Sequence, residues 1–273
     1  MPEMNDAPLR LMGAPGSPYT RKMLALLRYR RIPYAMLWGG HQNPPKGLPE
    51  PKVKLLPTFY FQTQEGGLEA VVDSTPIIRR LEAEYAGRSA IPANPVLAYL
   101  NELIEDYADE WLTKAMFHYR WYFEADRDNA APLLVYWSAP TLPPADAQRL
   151  ADMFSKRQTE RLYVVGSNDV TASTIEQSYT RFIDILDGIL QHGEYVLGAR
   201  PSSADFAIFG QLTQLGIIEP TSAAVTRARS ARVRAWLDRV EDLSGLEPVE
   251  ADWYSPEEAG RVLKPLLEEI GRV

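Results

Sequence analysis

The sequence contains no cysteine among its 273 residues. This absence excludes structural disulfides, metal centres with cysteine ligands and a catalytic thiol on the protein itself. No other set of residues indicates a metal site, so none is expected. The lack of cysteine does not decide the compartment, because proteins of several compartments can be free of it.

An excess of basic residues is also lacking. Lys and Arg number 29 against 36 Asp and Glu, for a formal net charge of -7. Nucleic-acid binding needs a clustered basic surface, so the balance argues against such a partner. The densest basic cluster lies among helix-forming residues and is interpreted as a solvated helix face; it comprises Arg227, Arg229, Arg232 and Arg234.

Long hydrophobic runs are absent as well. No segment approaches the length that spans a bilayer, so no membrane association is expected. The first nine residues include Glu3 and Asp6 and lack the apolar core of a signal peptide, which predicts a cytoplasmic location. With 45% apolar and 24% charged residues, the composition is that of a folded globular protein.

The N-terminal third alternates short apolar segments with turn signals. Strands are predicted at residues 9–14, 34–38, 57–61 and 68–72, with helices over 19–30 and from 73 onward. The segment 39–54 is rich in proline and glycine and is predicted to be mainly loop. The resulting order is β-α-β-loop-β-β-α.

The remainder of the chain shows helical periodicity only. Residues 87–95 contain two prolines and no periodicity, and they are predicted to link a domain at 1–86 to an all-helical domain at 96–273. The predicted helices cover 96–124, 146–164, 171–190, 204–215 and 229–243, with a weaker one after Pro256.

The start of the first helix carries a first candidate for chemistry. Ser17 follows a turn, and free N–H groups with partial positive charge are present there. A hydroxyl in this position can donate to a nearby thiolate and favour its ionisation. The alternative is that Ser17 only caps the helix. Tyr19 is a second candidate for the hydroxyl, because a phenol is a better proton donor.

Two further segments are candidates for ligand binding. A cis bond at Leu56-Pro57 would turn the main chain of Leu56 outward to pair with a peptide-like ligand, whereas a trans proline would merely begin an edge strand. Asp73 and Ser74 precede a helix, where a hydroxyl and N–H groups suit a carboxylate and an acidic side chain suits an ammonium group. The alternative for this pair is an ordinary helix cap.

Four motifs in this order resemble the glutathione transferase superfamily over nearly the whole chain. They are GSPYTRKM at 16–23, LP at 56–57, DSTPII at 73–78 and GARPSSADF at 198–206. The resemblance implies an α/β thioredoxin-like N-terminal domain and an all-α C-terminal domain, a cytosolic homodimer, and glutathione as co-substrate. The last motif is similar to the family's buried capping box, which implies a structural role for Ser202 and Asp205.

The resemblance also implies roles in binding glutathione. Ser17 matches the residue that faces the glutathione sulfur in the serine- and cysteine-type members. Leu56, with Pro57 cis, would hold the cysteinyl part through its main chain, and Asp73 and Ser74 would hold the γ-glutamyl head.

The sequence departs from the family pattern at the glycyl end of glutathione. The family often has a basic residue two positions before the cis-proline, where this chain has Leu55. The candidates for the glycyl carboxylate are therefore His41, Gln42 and Lys54.

A dense aromatic block at 111–123 predicts the surface for the second substrate. Trp111, His118, Tyr119 and Tyr122 are the candidates to line an apolar cleft between the domains, the alternative being helix packing. The predicted activity is conjugation of the glutathione thiolate to a small apolar electrophile. A non-catalytic protein that binds a ligand or a partner protein, and a glutathione-dependent isomerase or peroxidase, remain as alternatives.

Overall fold

The computed structural model describes residues 7–42 and 44–273, so Glu3 and Asp6 lie outside the described residues. Its N-terminal part contains a mixed sheet with strand order β2-β1-β3-β4. The strands are β1 (Leu9–Gly13), β2 (Tyr34–Trp38), β3 (Thr58–Gln62) and β4 (Leu68–Val71). Strand β1 runs parallel to β2 and antiparallel to β3, which pairs antiparallel with β4.

Two helices of this domain bury their apolar faces together with the sheet. Helix α1 (Pro18–Tyr29) begins with a proline in its first turn, and α2 (Ser74–Glu84) follows β4 directly. The buried side chains of the layer include Leu11, Met23, Phe59, Ile77 and Leu81. This arrangement confirms the predicted thioredoxin-like domain.

The C-terminal part is helical, as predicted. Its elements are α3 (Pro95–Tyr107), a first π-helix (Ala108–Leu112), α4 (Thr113–Tyr122), α5 (Glu124–Ser138), α6 (Pro144–Thr159), α7 (Ala172–Ile189), α8 (Ser203–Thr213), a second π-helix (Gln214–Ile218), α9 (Pro220–Arg229), α10 (Ala231–Val240), α11 (Pro256–Val262) and α12 (Lys264–Ile270). Over the described ranges, none of these helices has the length and apolar character needed to cross a membrane.

Two predicted helices differ from the structure in a way that matters for the site. The helix predicted over 96–124 is observed from Pro95 to Tyr122, but the first π-helix interrupts it, and it ends where Phe123 adopts an extended conformation. Helix α5 then continues to Ser138 and contains Pro132, a residue whose missing N–H argues against a helix interior. The helix predicted over 204–215 ends at Thr213, where the second π-helix begins.

Helices α1 and α8 form the close contact between the two parts of the chain. A Cβ atom added at Gly210 of α8 would lie 2.4 Å from the Pro18 carbonyl oxygen and 3.0 Å from Lys22 Cβ. Only glycine therefore permits this approach of the two helices. The segment between α2 and α3 is held to α8 by the Ser203 N–H, which donates to the Ala90 carbonyl over 2.7 Å.

Ser202 and Asp205 form the predicted cap of α8. Both residues are fully buried. The Asp205 carboxylate accepts hydrogen bonds from the N–H and the hydroxyl of Ser202, each at 2.8 Å, and from the Val196 N–H at 2.9 Å. Burial raises the pKa of Asp205 to about 6, although these donors favour the ionised form.

Replacing Asp205 with alanine should lower the free energy of unfolding by about 2 to 4 kcal/mol, because it leaves buried donors without an acceptor. Denaturant unfolding measures the change. The matched control is Ser255→Ala, which removes the exposed cap of α11 that accepts from the Glu258 N–H. A cost for Ser255→Ala equal to that for Asp205→Ala would contradict the importance of the buried cap.

Candidate functional site

A cavity of about 420 Å³ lies where the two parts of the chain meet. Its volume is in the range of small-molecule sites. The residues that line it are Tyr19, Leu55, Leu56, Asp73, Ser74, Thr75, Glu102, Glu105, Asp106, Asp109 and Glu110. The cavity thus brings together residues that the sequence predicted from separate segments of the thioredoxin-like domain.

The Ser17 hydroxyl lies beside the loop that precedes β3. Ser17 is half-buried at the N-cap of α1, where its Oγ accepts from the Thr20 N–H at 3.2 Å. The same Oγ donates to the Leu56 carbonyl over 3.4 Å. The Leu56–Pro57 peptide bond is cis, as the resemblance implies. Ser17 therefore caps its helix and also faces the main chain of Leu56.

Tyr19, the second hydroxyl candidate, lines the cavity but is bonded within the protein. Its phenol donates to the Asp109 carbonyl at 2.7 Å and lies 2.8 Å from Thr113 Oγ1. Burial raises the pKa of Tyr19 to about 12. The phenol is therefore engaged within the protein, whereas the Ser17 hydroxyl makes a longer contact at 3.4 Å.

The start of α2 presents polar groups to the cavity. Asp73 is exposed and adopts a left-handed conformation with φ of 79°, and its side chain accepts from the Thr75 N–H at 3.3 Å. Ser74 is 5% exposed, and its Oγ accepts from Lys22 Nζ at 3.1 Å. Because the Ser74 oxygen accepts this hydrogen bond through a lone pair, its hydroxyl proton can be donated to another acceptor.

Lys22, which the sequence analysis did not single out, is buried beside the cavity. Its side chain is 1% exposed, and Nζ lies 2.8 Å from Glu105 Oε1 and 2.6 Å from Asp109 Oδ2. The ammonium thus joins α1, the start of α2 and the α3 region. The sequence offered one indication of this role. Lys22 lies midway between Pro18 and Leu26 on the buried face of α1, and a buried charge requires a partner.

The two carboxylates that share Lys22 differ in ionisation. Burial alone would raise the pKa of Glu105, but Lys22, the Ser203 hydroxyl and Arg79 together lower it. Burial raises the pKa of Asp109 despite Lys22, and the neighbouring charge of Glu105 adds to the increase. One ammonium therefore holds Glu105 ionised more strongly than Asp109.

The wall of the cavity formed by α3 and the first π-helix is acidic. Glu102, Asp106 and Glu110 follow one another at spacings of four residues and are exposed, and Asp73 lies at the same cavity. Such a lining favours a ligand with an ammonium group. Within the part of the chain that the structure describes, no group of His, Asp or Glu has an arrangement suited to a metal ion.

The three candidates for the glycyl carboxylate are not equivalent. His41 is half-buried, and its Nε2 lies 2.9 Å from the Leu55 carbonyl oxygen and 3.4 Å from Thr58 Oγ1. Lys54 is exposed and pairs with Glu50 at 3.6 Å, and Gln42 is exposed. His41 therefore contacts the loop at Leu55, and Lys54 lies in that loop two residues before Leu56.

The aromatic residues predicted to line the second-substrate cleft are not among the residues that line the cavity. His118 and Tyr119 are buried, and burial lowers the pKa of His118 to about 4. Trp111 Nε1 donates to Ser178 of α7 at 2.9 Å, and the Tyr122 hydroxyl donates to Asp169 at 2.9 Å. These contacts correspond to the alternative of helix packing, and the predicted cleft role receives no support from them.

Two residues of α5 contact the turn that leads to Ser17. A Cβ atom added at Gly16 would lie 2.6 Å from Leu134 Cδ2 and 2.7 Å from the Trp137 ring. Both side chains are half-buried. They place an apolar surface next to Ser17, and the sequence prediction missed them because it ended the preceding helix near 124.

Two models of one protein family match the chain. Residues 11–89 match the family model of the glutathione S-transferase N-terminal domain, and residues 148–239 match that of the C-terminal domain. A search of curated proteins finds no match to the chain.

Solved structures share the fold at low sequence identity. The beta-etherase LigF from a Sphingobium species is similar with a TM-score of 0.58 and 16% identity, over 86% of this chain and 95% of that one. A glutathione transferase family member from Pseudomonas fluorescens, with two glutathione bound, has a TM-score of 0.51 and 15% identity, over 87% of this chain and 90% of that one. The Tau class glutathione S-transferase from mango, Mangifera indica, has a TM-score of 0.50 and 16% identity, over 95% of this chain and 98% of that one.

The pKa values of Glu105 and Asp109, the two partners of Lys22, are shifted in opposite directions, which predicts opposite effects of pH on their contributions to stability. Glu105, with its lowered pKa, contributes stability above its unfolded pKa of about 4.3, and this is lost as pH falls through the folded value. Asp109, with its raised pKa, contributes stability below its unfolded pKa of about 3.9, and this is lost as pH rises through the folded value.

The advantage of the parent over Glu105→Gln should therefore shrink as pH falls, whereas its advantage over Asp109→Asn should grow. Denaturant unfolding of the three proteins, at pH values on both sides of the carboxylate pKa values, measures both trends. Each variant serves as the control for the other. Parallel trends for the two variants would contradict the assignment.

Proposed function

The chain belongs to the glutathione S-transferase superfamily, and we propose that it binds glutathione and transfers the thiolate sulfur to a small apolar electrophile. One observation carries the proposal. A single cavity collects Leu56 beside the cis-proline and the Asp73–Ser74 pair, and the Ser17 hydroxyl contacts the Leu56 carbonyl at 3.4 Å. The same groups are those that a thiol-bearing tripeptide requires.

The γ-glutamyl head of glutathione would bind at the start of α2. Its carboxylate would accept the Ser74 hydroxyl proton, which is available because Lys22 donates to the Ser74 oxygen. Its ammonium group would lie near Asp73 and the acidic wall of α3, where Glu102 and Asp106 are exposed. A zwitterion suits this combination of a helix N-terminus and surrounding carboxylates.

The remainder of the tripeptide would follow the loop before β3. The main chain of Leu56 would pair with the cysteinyl residue in the manner of an added strand. His41, which lies against the Leu55 carbonyl, is the group best placed for the glycyl carboxylate. This direction of binding brings the cysteinyl sulfur toward Ser17.

The chemical step requires a thiolate at neutral pH. The Ser17 hydroxyl, which donates to the Leu56 carbonyl at 3.4 Å, would turn to donate to the sulfur at the start of α1, where the helix dipole also favours negative charge. The thiol proton would pass to solvent, and the sulfur electron pair would then form a bond to the electrophilic carbon. The leaving group would depart with its bonding pair, or the acceptor would take up that pair and a proton.

The electrophile would lie against α5 in this proposal. Leu134 and Trp137 contact Gly16 and present an apolar surface beside Ser17. Apolar surfaces with few polar groups are typical of small-molecule sites. The proposal therefore favours an apolar, aryl-type electrophile.

Glutathione affinity should depend on the start of α2. Ser74→Ala and Asp73→Ala should each raise the Kd by about tenfold or more, because each removes a hydrogen bond to a charged group. Titration calorimetry with glutathione measures the change. The control is Ser230→Ala, which removes the cap of α10 that accepts from the Val233 N–H, and it should leave the Kd unchanged. Absence of glutathione binding by the parent would overturn the proposed function.

Turnover should depend on Ser17 more than on Tyr19. With an activated aryl halide, Ser17→Ala should lower kcat/KM by about a hundredfold, the effect of one donor to a developing anion. Tyr19→Phe should change it by less than about threefold and cost about 1 kcal/mol of stability, because its phenol bonds within the protein.

The opposite order of effects would transfer the role to Tyr19. Glutathione binding without turnover across a panel of electrophiles would support the alternative of a non-catalytic ligand-binding protein.

A further inference from the structure

The turn that leads to Ser17 is held by the helical domain through its carbonyl groups. The Gly16 carbonyl accepts from the Arg120 guanidinium at 3.0 Å, and the Pro15 carbonyl accepts from Gln214 Nε2 at 3.2 Å. Within the turn, the Ser17 N–H donates to the Ala14 carbonyl at 3.0 Å. The two residues before Ser17 are thus each tied to a side chain from α4 or the second π-helix.

Arg120 uses several edges of its guanidinium at once. Nε donates to Glu219 Oε1 at 2.5 Å, and the second terminal nitrogen donates to Gln214 Oε1 at 2.7 Å. The residue is 6% exposed, and Glu219 is fully buried. A planar fork with five donors can satisfy these three directions together, which a lysine ammonium cannot do in the same geometry.

The second π-helix positions both partners of Arg120. Gln214 begins this π-helix and Glu219 follows its last residue, Ile218. Glu219 is extended, with φ of -78° and ψ of 115°, as expected for a residue before a proline. The Asn129 side chain of α5 donates to the Ile218 carbonyl at 2.9 Å and ties the segment further. Turns of π-helix are frequent at functional sites.

We propose that Arg120 is a positioning residue that fixes the Ser17 turn, so that the Ser17 hydroxyl meets the glutathione sulfur. The inference rests on the proposed function. Glu219 and Gln214 hold the guanidinium, and the guanidinium holds the Gly16 carbonyl, one residue before the hydroxyl. A small displacement of this turn would lengthen the contact between Ser17 and the sulfur, and misplacement by about 1 Å can cost a hundredfold in rate.

A second arginine of the helical domain provides a matched control. Arg181 of α7 makes a two-point ion pair with the buried Glu269 of α12, at 2.8 and 2.6 Å. Both ion pairs stabilise the packing of the helical domain, but only Arg120 contacts the Ser17 turn. Arg181→Lys therefore reports what the loss of such a pair does to stability alone.

The test measures the ionisation of bound glutathione. The ultraviolet absorbance of the thiolate, followed against pH, gives the pKa of the thiol on the parent and on the variants Ser17→Ala, Arg120→Lys, Gln214→Ala and Arg181→Lys. Arg120→Lys should raise this pKa by about one unit and lower kcat about tenfold at neutral pH, with the KM for glutathione within about twofold. Gln214→Ala should shift it in the same direction by less, and Arg181→Lys should leave it unchanged.

The possible outcomes separate this inference from the proposed function. If Ser17→Ala raises the thiol pKa while Arg120→Lys and Gln214→Ala do not, the positioning role is overturned and the proposed function stands. An equal shift in Arg181→Lys would also overturn it, because the effect would then follow from lost stability. If the parent binds no glutathione, both proposals fail.

Discussion

The burial of one ammonium group, that of Lys22, constrains the whole site. A charge that is 1% exposed requires nearby counter-charges, and Glu105 and Asp109 supply them from the helical domain at 2.8 and 2.6 Å. The two domains must dock in this register, because any other would leave charges buried and unpaired. The same ammonium donates to Ser74 and thereby orients the hydroxyl that faces the cavity.

The helical domain contacts the opposite side of the site through a second buried cation. Arg120 holds the Gly16 carbonyl, while Lys22 holds Ser74. A π-helix supplies a partner for each cation: Asp109 of the first π-helix pairs with Lys22, and Gln214 at the start of the second accepts from Arg120. The extra residue in each π-turn changes which side chains face the neighbouring domain. The helical domain thus holds the Ser17 turn directly through Arg120, whereas it acts on Ser74 through Lys22, whose partners Glu105 and Asp109 it supplies.

Local patterns predicted much of the fold correctly. Alternation and turn residues located the strands, and the apolar stripe of α7 matched its observed extent within about two residues. The end of α4 at Tyr122 was predicted within two residues, but α5, which continues through Pro132, was missed. Propensity disfavours proline inside a helix, but tertiary contacts such as that of Asn129 with the Ile218 carbonyl hold α5 in place.

The sequence by itself determined the class of fold, the cap at Asp205 and the positions of Ser17, Leu56 and Asp73, because each depends on neighbours within a few residues or on a motif. Only the tertiary structure decided which side chains reach the cavity. The aromatic block at 111–123 packs against α7 and the loop at Asp169, whereas Lys22 and Arg120 bind partners more than 80 residues away. Periodicity defines one face of a helix, but the partner of that face depends on how distant segments dock.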